Sequence, residues 1–207
     1  MQLTQREYDI CVFLSQLIYT KLVLPQALRP NHTVKSLSGL RADIFEFEEV
    51  TYVCFSGTNG FFAINDWIAN ISMALGRKPK QFHEALEFVS GELDQNKRTI
   101  FVGHSLGGAL LEFVCNTIKH EDFIGVVFNG AGVRHLTKPK YPNNIFHFIT
   151  TRDILNRVFL KWIPFRWFKT YFKHIGRIIY IEDKSWNGVK SHSNFELFEQ
   201  VRIENFK

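Results

Sequence analysis

The chain has 207 residues, of which 45% are hydrophobic and 15% aromatic, including 21 phenylalanines. This length is typical of one domain with a substantial buried core, and the composition excludes a disordered chain. The formal net charge of +5 favours anionic partners such as nucleic acid, a phospholipid surface or an acidic substrate, although a protein without such a partner can carry the same charge.

Three cysteines, Cys11, Cys54 and Cys115, each lie in an apolar stretch, and their number is odd. We therefore expect buried free thiols and a reducing compartment. No cysteines or histidines have the spacing of a metal site, so the sequence predicts no metal centre.

The N-terminal residues do not resemble a secretory signal, because Arg6, Glu7 and Asp9 interrupt them before any apolar run begins. No stretch reaches the ~18 uncharged apolar residues that a membrane span needs. We expect a protein made in soluble form in the cytoplasm. It would act there, attach peripherally to a membrane, or leave by an export route that reads no N-terminal signal.

The first half of the chain predicts two helices and a hairpin. Apolar residues recur at helical spacing over residues 4–22, with Thr4 as the cap. Segments 42–47 and 50–55 are extended and predict a β-hairpin. Helical spacing returns over residues 80–95.

From residue 99 onward, strands and helices alternate. The pattern predicts strands at 99–102, 124–128, 145–149 and 177–181, a helix at 106–119 and a final helix at 195–201. Such alternation predicts an α/β fold, in which a mostly parallel central sheet is flanked by helices. We expect residues 1–207 to form one such domain.

The segment between the strand at 99–102 and the following helix reads Gly103-His104-Ser105-Leu106-Gly107-Gly108, which contains GxSxG. In this context the serine lies on a sharp strand-to-helix turn that exposes its hydroxyl group, and glycines allow the strand and helix to approach closely. The first amides of the helix then stabilise a developing oxyanion. The segment predicts a nucleophilic Ser105, and the alternative is an ordinary glycine-rich turn.

These residues resemble the nucleophile elbow of the class 3 lipases, the α/β-hydrolase family that includes fungal triacylglycerol lipases and many phospholipases A1. Residues 53–58 resemble the Phe-Arg-Gly-Ser/Thr strand end of that family, with Ser56 in place of the arginine. The resemblance implies an α/β-hydrolase fold and makes Thr58 one oxyanion donor. The amide of Leu106 is the other expected donor. This chemistry needs no metal or organic cofactor.

Residues 65–70 resemble the Asp-Trp-x-x-Asp segment where the lid of that family begins. Asn70 replaces the second acid, and its amide can still hydrogen-bond the oxyanion donor. We expect a lid over residues 59–75, with Trp67 and Asn70 near the substrate. The alternative is an amphipathic helix that packs on the core.

The remaining catalytic residues follow from chain order, which in α/β-hydrolases is serine, acid, histidine. Asp153 comes just after a strand, although it could instead only cap a helix at 154, and Asp183 is the second candidate. His192 resembles the terminal His-x-x-aromatic element of the family, while His174 is its rival. We expect Asp153 to orient His192, which takes the proton of Ser105.

Residues 154–179 contain six basic residues, no acidic residue and many aromatics, including Trp162 and Trp167. We expect this insertion to contact an anionic membrane surface, and the two tryptophans to contact the substrate. The alternative is a solvated basic helix whose aromatics pack on the core. Nucleic acid binding is disfavoured by the hydrolase elbow.

Together these features predict a serine-dependent lipid ester hydrolase, with a phospholipid as the preferred substrate. One alternative is a soluble esterase that acts on short acyl chains. Another is a catalytically idle hydrolase fold that serves as a membrane-binding module. The oligomeric state is left open by the sequence.

Overall fold

A computed structural model of the chain describes residues 2–20, 25–57, 80–118, 120, 122–133, 136–137, 140, 142–156, 173–185 and 187–206. Within these residues lies one seven-stranded sheet whose spatial order follows the chain order. The strands are β1 (His32–Lys35), β2 (Arg41–Phe47), β3 (Val50–Phe55), β4 (Thr99–His104), β5 (Phe123–Phe128), β6 (Ile145–Thr150) and β7 (Arg177–Ile181).

The sheet is mostly parallel. The pairings β1–β2 and β2–β3 are antiparallel. From β3 to β7, each strand pairs parallel with the next one. The central strands β4 and β5 are buried along their whole length, as apolar runs of parallel sheets are. The predicted mostly parallel central sheet of an α/β fold is confirmed.

Helices cover both faces of this sheet. The described helices are α1 (Gln5–Leu17), α2 (Lys80–Glu92), α3 (Leu106–Thr117), α4 (Gly188–His192) and α5 (Phe195–Glu199), and single 3-10 turns lie at Gln26–Leu28, Pro142–Asn144 and Ile203–Phe206. None of the described helices is both long and apolar enough to cross a membrane.

The hydrophobic core has two layers, because successive strand residues point to opposite faces. On one face, Phe101 and Val127 pack in the cluster that contains the buried sides of α2 and α3. On the other face, Val102 and Phe128 pack in the cluster that contains α1 and Phe198 of α5. The three cysteines are free and buried in these layers, as predicted.

Helix α1 begins with the predicted cap. Thr4 accepts a hydrogen bond from the Glu7 amide, and the Glu7 carboxylate accepts one from the Thr4 amide, which forms a capping box. The helix is shorter than predicted, since it ends at Leu17 rather than at residue 22. Its last turn tightens through a bond from the Tyr19 amide to the Gln16 carbonyl.

The predicted hairpin of β2 and β3 is present. Its two turn residues, Glu48 and Glu49, have φ of 50° and 66°, the backbone of a tight type I′ connection. Strand β1 was not predicted, because its residues are mostly exposed and lack an apolar alternation.

Two details near the C-terminus also differ from the sequence prediction. His192 was expected in a loop, yet it is the last residue of the short helix α4, which Asn187 caps through its side chain. Helix α5 ends at Glu199 rather than at residue 201, because the chain turns where Val201 bonds back to Phe198.

Candidate active site

Ser105 occupies the turn between β4 and α3 with a strained backbone, at φ 60° and ψ −125°. Its amide donates to the Phe128 carbonyl at 3.2 Å, and its carbonyl accepts from the Gly108 and Ala131 amides, each at 3.1 Å. A positive φ at a non-glycine residue persists only where its surroundings impose it, and such residues cluster at functional sites.

Glycines let the surrounding segments close on this turn. A Cβ atom at Gly107 would overlap the carbonyl oxygen of Phe55, and one at Gly103 would lie 2.5 Å from the Gly107 oxygen. At Gly57 a Cβ would lie 3.1 Å from the Cβ of Ser105. The end of β3 therefore passes directly beside Ser105.

The hydroxyl group of Ser105 lies in a protected position. The residue is only 3% exposed, and its Oγ has no hydrogen-bond partner among the described residues. A buried polar atom without a partner is costly, and such atoms need a functional or structural reason. Leu106, whose amide begins α3, is 6% exposed.

Asp153 and His192 are brought together by the fold. Oδ1 of Asp153 contacts Nδ1 of His192, and both side chains are buried. Oδ2 of Asp153 accepts the backbone N–H of Asn156 at 2.9 Å and its side-chain N–H at 2.6 Å. One carboxylate thus caps the turn at 154–156 and also pairs with His192, so the two interpretations of Asp153 are compatible.

The rival acid makes different contacts. Asp183 accepts hydrogen bonds from the amide and the hydroxyl of Ser185, at 2.7 Å and 2.9 Å. Its own amide donates to Thr151. No histidine is among these partners within the described chain, whereas Asp153 has His192.

His104 connects His192 to the elbow. Nε2 of His104 lies 2.9 Å from the His192 carbonyl, which can only accept, so this nitrogen carries the hydrogen. Nδ1 then accepts from the hydroxyl of Tyr19 at 3.1 Å. Burial, and next the proximity of His192, lower the pKa of His104 to about 3, so the His104 ring stays neutral.

Tyr19 is a residue that sequence reasoning missed. Besides donating to His104, its oxygen accepts the amide hydrogen of Gly57 at 2.7 Å. It thereby joins the end of β3 to the elbow, 85 positions away in the sequence from His104. No local pattern marks a tyrosine at the end of a helix for such a role.

Asn129 was also missed. Its side-chain nitrogen donates to the Ser191 and His192 carbonyls at 3.2 Å and 3.0 Å, and its oxygen accepts from the Thr150 amide at 2.8 Å. Asn129 is fully buried and has φ of 43°. It follows β5 at the carboxyl edge of a parallel sheet, where functional residues collect, and this position was the available signal.

His174, the rival base, belongs to a separate buried cluster. Its Nδ1 lies 3.2 Å from Oε1 of Glu112, and Nε2 of His147 lies 3.5 Å from the same oxygen. One donor atom from each of these three residues lies within 4.8 Å of the others, as in a metal site. Nε2 of His147 also lies 3.0 Å from the Ile175 carbonyl, which requires a hydrogen on that nitrogen and so removes it as a metal ligand.

Burial shifts all three groups of this cluster towards their neutral forms. Burial raises the pKa of Glu112 to about 7. It lowers the pKa values of His147 and His174 to about 4. The cluster therefore resembles a buried hydrogen-bonded network more than a cation site.

Several predicted features lie outside the described residues. They are Thr58, Trp67, Asn70, Trp162, Trp167, the proposed lid at 59–75 and residues 157–172 of the basic aromatic insertion at 154–179.

The chain matches the model of the phospholipase-like Tle-like phospholipase domain over residues 19–150. This stretch is well over half of the chain. The protein belongs to the Tle-like phospholipase domain family. The match includes the elbow with Ser105 and ends before Asp153 and His192, so the positions of those two residues rest on the geometry above.

Solved structures also resemble this Tle-like domain. A triacylglycerol lipase from Penicillium expansum matches with a TM-score of 0.54 at 14% identity, over 86% of this chain and 78% of the lipase. The Francisella virulence factor BioJ matches at 14% identity over 96% of this chain and 90% of its own, with a TM-score of 0.45, below the level that indicates a shared fold. No curated protein matches the chain.

The lipase match shows the fold, and with the family it confirms the class 3 lipase-like resemblance that the elbow and residues 53–70 carried. This Tle-like domain is therefore a lipase- or phospholipase-like hydrolase in family and fold.

Proposed function

We propose that the protein is a serine-dependent lipid ester hydrolase with phospholipase A1-type activity. The observation that carries the proposal is the strained backbone of Ser105 at the elbow, together with the buried Asp153–His192 pair, which His104 links to the elbow. A serine hydroxyl becomes a useful nucleophile only next to a base that a third group orients.

In the proposed mechanism, His192 takes the hydroxyl proton of Ser105 while Oγ attacks the ester carbonyl. The amide of Leu106 and the Thr58 position hold the resulting oxyanion. The intermediate collapses, the ester C–O bond breaks, and His192 returns the proton to the leaving alcohol. Water, deprotonated by His192, then hydrolyses the acyl-enzyme and restores Ser105. Asp153 stabilises the imidazolium in both steps.

The lipid substrate is supported by family and fold. The matched family is described as phospholipase-like, and the Penicillium neighbour is a triacylglycerol lipase. The preference for a phospholipid rests on charge. Residues 154–179 carry six basic and no acidic side chains, and each basic side chain near an anionic surface contributes about 1 kcal/mol of adsorption energy.

The test is fatty-acid release from vesicles of phosphatidylglycerol and phosphatidylcholine by the native chain and by Ser105→Ala. Uncharged micelles of a neutral glyceride and monomeric p-nitrophenyl butyrate are run in parallel. We expect release from the anionic vesicles that is lost in the variant. The matched control is Ser185→Ala, which changes a serine that follows β7 as Ser105 follows β4, and it should keep most of the activity.

Each other outcome points to one alternative. Equal rates on neutral micelles and anionic vesicles would remove the charge argument and favour a neutral lipase. Cleavage of p-nitrophenyl butyrate alone, without a rate increase on aggregated lipid, would favour a soluble short-chain esterase. Vesicle binding with no hydrolysis of any ester would favour an idle membrane-binding module.

A further inference from the structure

A continuous set of polar contacts leads from the Asp153–His192 pair into the core. Oδ2 of Asp153 lies 2.6 Å from Nδ2 of Asn156, and Oδ1 of Asn156 lies 3.2 Å from Nε2 of His174. Nδ1 of His174 lies 3.2 Å from Oε1 of Glu112, which is fully buried in α3. Asp153, Asn156, His174 and Glu112 thus form one hydrogen-bonded file that runs from His192 into the core.

The direction of each hydrogen bond in this file is fixed. Oδ2 of Asp153 already accepts the backbone N–H of Asn156. Because a carboxylate oxygen only accepts, the Asn156 side chain must present its NH₂ group to it. The amide oxygen of Asn156 then faces His174. Because an amide oxygen only accepts, Nε2 of His174 carries a hydrogen.

This direction leaves a conflict at the inner end of the file. A neutral His174 with hydrogen on Nε2 has a lone pair on Nδ1, and that lone pair faces Oε1 of Glu112 at 3.2 Å. The other Glu112 oxygen accepts the amide hydrogens of Ile175 at 3.0 Å and Val133 at 3.4 Å. Two lone pairs do not face each other in a buried site without a cost, so a positive centre must lie between them.

We infer that a proton shared between Glu112 and His174 completes this file, and that Asn156, held by it, is a positioning residue that fixes the Asp153 carboxylate against His192. The inference deepens the proposed function, on which it rests. Burial favours the neutral forms of both Glu112 and His174, so the proton resides on the carboxyl group and points to Nδ1.

A divalent cation could fill the same gap, and the contacts favour the proton. A cation would need a lone pair from His147 as well, yet its Nε2 donates to the Ile175 carbonyl. The backbone donors on Glu112 already satisfy its second oxygen. One hydrogen therefore satisfies the site without rearranging any neighbour.

The expected consequence is orientation of the catalytic acid. With Asn156 in place, Oδ2 of Asp153 receives two hydrogen bonds and Oδ1 is left to face His192. Without the Asn156 amide, the carboxylate can rotate and His192 loses its fixed tautomer. Small misplacements of this kind reduce the chemical step rather than substrate binding.

The first test compares kcat and KM on p-nitrophenyl butyrate for Asn156→Ala, Glu112→Gln and Glu112→Leu. Glutamine reproduces protonated Glu112, since its NH₂ can donate to Nδ1 of His174 while its oxygen accepts the backbone amides. We expect Asn156→Ala and Glu112→Leu to lower kcat about tenfold or more at unchanged KM, and Glu112→Gln to restore most of the native kcat. Equal losses in the glutamine and leucine variants would overturn the shared proton, and native kcat in Asn156→Ala would overturn the positioning role.

The second test needs no activity. In the native chain at pH 6, the imidazole ¹⁵N spectrum should show His174 neutral, with hydrogen on Nε2 and an acceptor Nδ1. A doubly protonated ring, the opposite tautomer, or stoichiometric zinc in protein purified without chelator would overturn the inference. If neither the native chain nor Ser105→Ala cleaves any ester, the proposed function fails, and this spectrum still decides the protonation of the file.

Discussion

Tyr19 donates its hydroxyl hydrogen to Nδ1 of His104 across 3.1 Å, and this contact ties the candidate site together. The phenol oxygen accepts the Gly57 amide, while His104 donates to the carbonyl of His192. The end of β3 before the predicted oxyanion donor, the elbow and the candidate base are therefore linked by one neutral side-chain pair.

Replacing Tyr19 with phenylalanine should weaken the site without unfolding the protein. The Gly57 amide and Nδ1 of His104 would each lose a buried partner, at a cost of about 1–3 kcal/mol. We expect a lower melting temperature and a fall in kcat/KM of about tenfold. The matched control is Tyr180→Phe, at a tyrosine that is 65% exposed and should change neither quantity. Native kcat/KM in Tyr19→Phe would contradict the role.

Replacing Asn129 with aspartate keeps its size but removes the two hydrogens that bond the Ser191 and His192 carbonyls. Carboxylate oxygens would then face carbonyl oxygens in a fully buried position. We expect a loss of about 2–4 kcal/mol of unfolding free energy and a large loss of esterase activity, measured by urea denaturation and ester cleavage.

The control for this change is Asn31→Asp, because Asn31 is exposed and, within the described part of the chain, its side chain uses only its oxygen, which accepts the Glu46 amide. Aspartate can accept the same bond, so little change is expected. An Asn129→Asp protein with native stability would show that the hydrogen bonds from Asn129 to the α4 carbonyls are unimportant.

Two glycine-to-alanine changes should have opposite effects on the free energy of unfolding. At Gly107 a Cβ would overlap the Phe55 carbonyl, so alanine should displace α3 from β3 and lower stability strongly or prevent folding. At Gly91, inside α2, nothing lies within 4 Å of a new Cβ. There alanine should raise the unfolding free energy by about 0.5–1 kcal/mol through helix propensity. Thermal melts of both variants decide this, and equal effects would refute the close approach.

Replacing Asp153 with asparagine should nearly abolish turnover while leaving the fold intact. The amide can present a hydrogen to His192 and favour the wrong tautomer, a change that costs about 10⁴-fold in the serine protease example. Asp183→Asn is the control, since Asp183 bonds Ser185 instead of a histidine within the described chain. A larger kcat loss in the control would exchange the roles of the two acids.

Acidification should destabilise the protein. Burial lowers the pKa values of His104 to about 3 and of His147 and His174 to about 4, whereas unfolded histidines titrate near 6.5. Between these values the unfolded chain binds more protons, so the stability present above pH ~6.5 is lost as the pH falls. Burial raises the pKa of Glu112 to about 7, so this carboxyl group adds stability as the pH falls, but it is one group against three histidines. Urea midpoints should fall from pH 6.5 to 4, and more steeply in Glu112→Gln; a rise on acidification would contradict the assignment.

The fold was predictable from sequence where patterns are local. Apolar runs at 99–102 and 124–128 mark buried parallel strands, which the structure extends to 99–104 and 123–128, and the glycines around Ser105 mark a sharp turn. Strand β1 escaped prediction because its pairing with β2, rather than any burial of its own, keeps it in the sheet.

The candidate site was predictable only in part. Chain order placed Asp153 and His192 as candidates, and the structure brings these two side chains into contact. Their supporting residues were not predictable, because Tyr19 and Glu112 bond partners that lie 85 and 62 positions away. Such partners are set by the tertiary fold, which no local spacing encodes. The catalytic roles themselves stay predictions.

Covalent trapping with a long-chain alkyl fluorophosphonate, followed by intact mass and peptide mapping, tests most directly whether Ser105 is the nucleophile. A serine nucleophile that an adjacent base activates reacts with this lipid-like probe, whereas an ordinary buried serine does not. We expect one adduct per chain, located on Ser105 and absent from Ser105→Ala. An unlabelled native chain, or an adduct on another residue that persists in the variant, would contradict it.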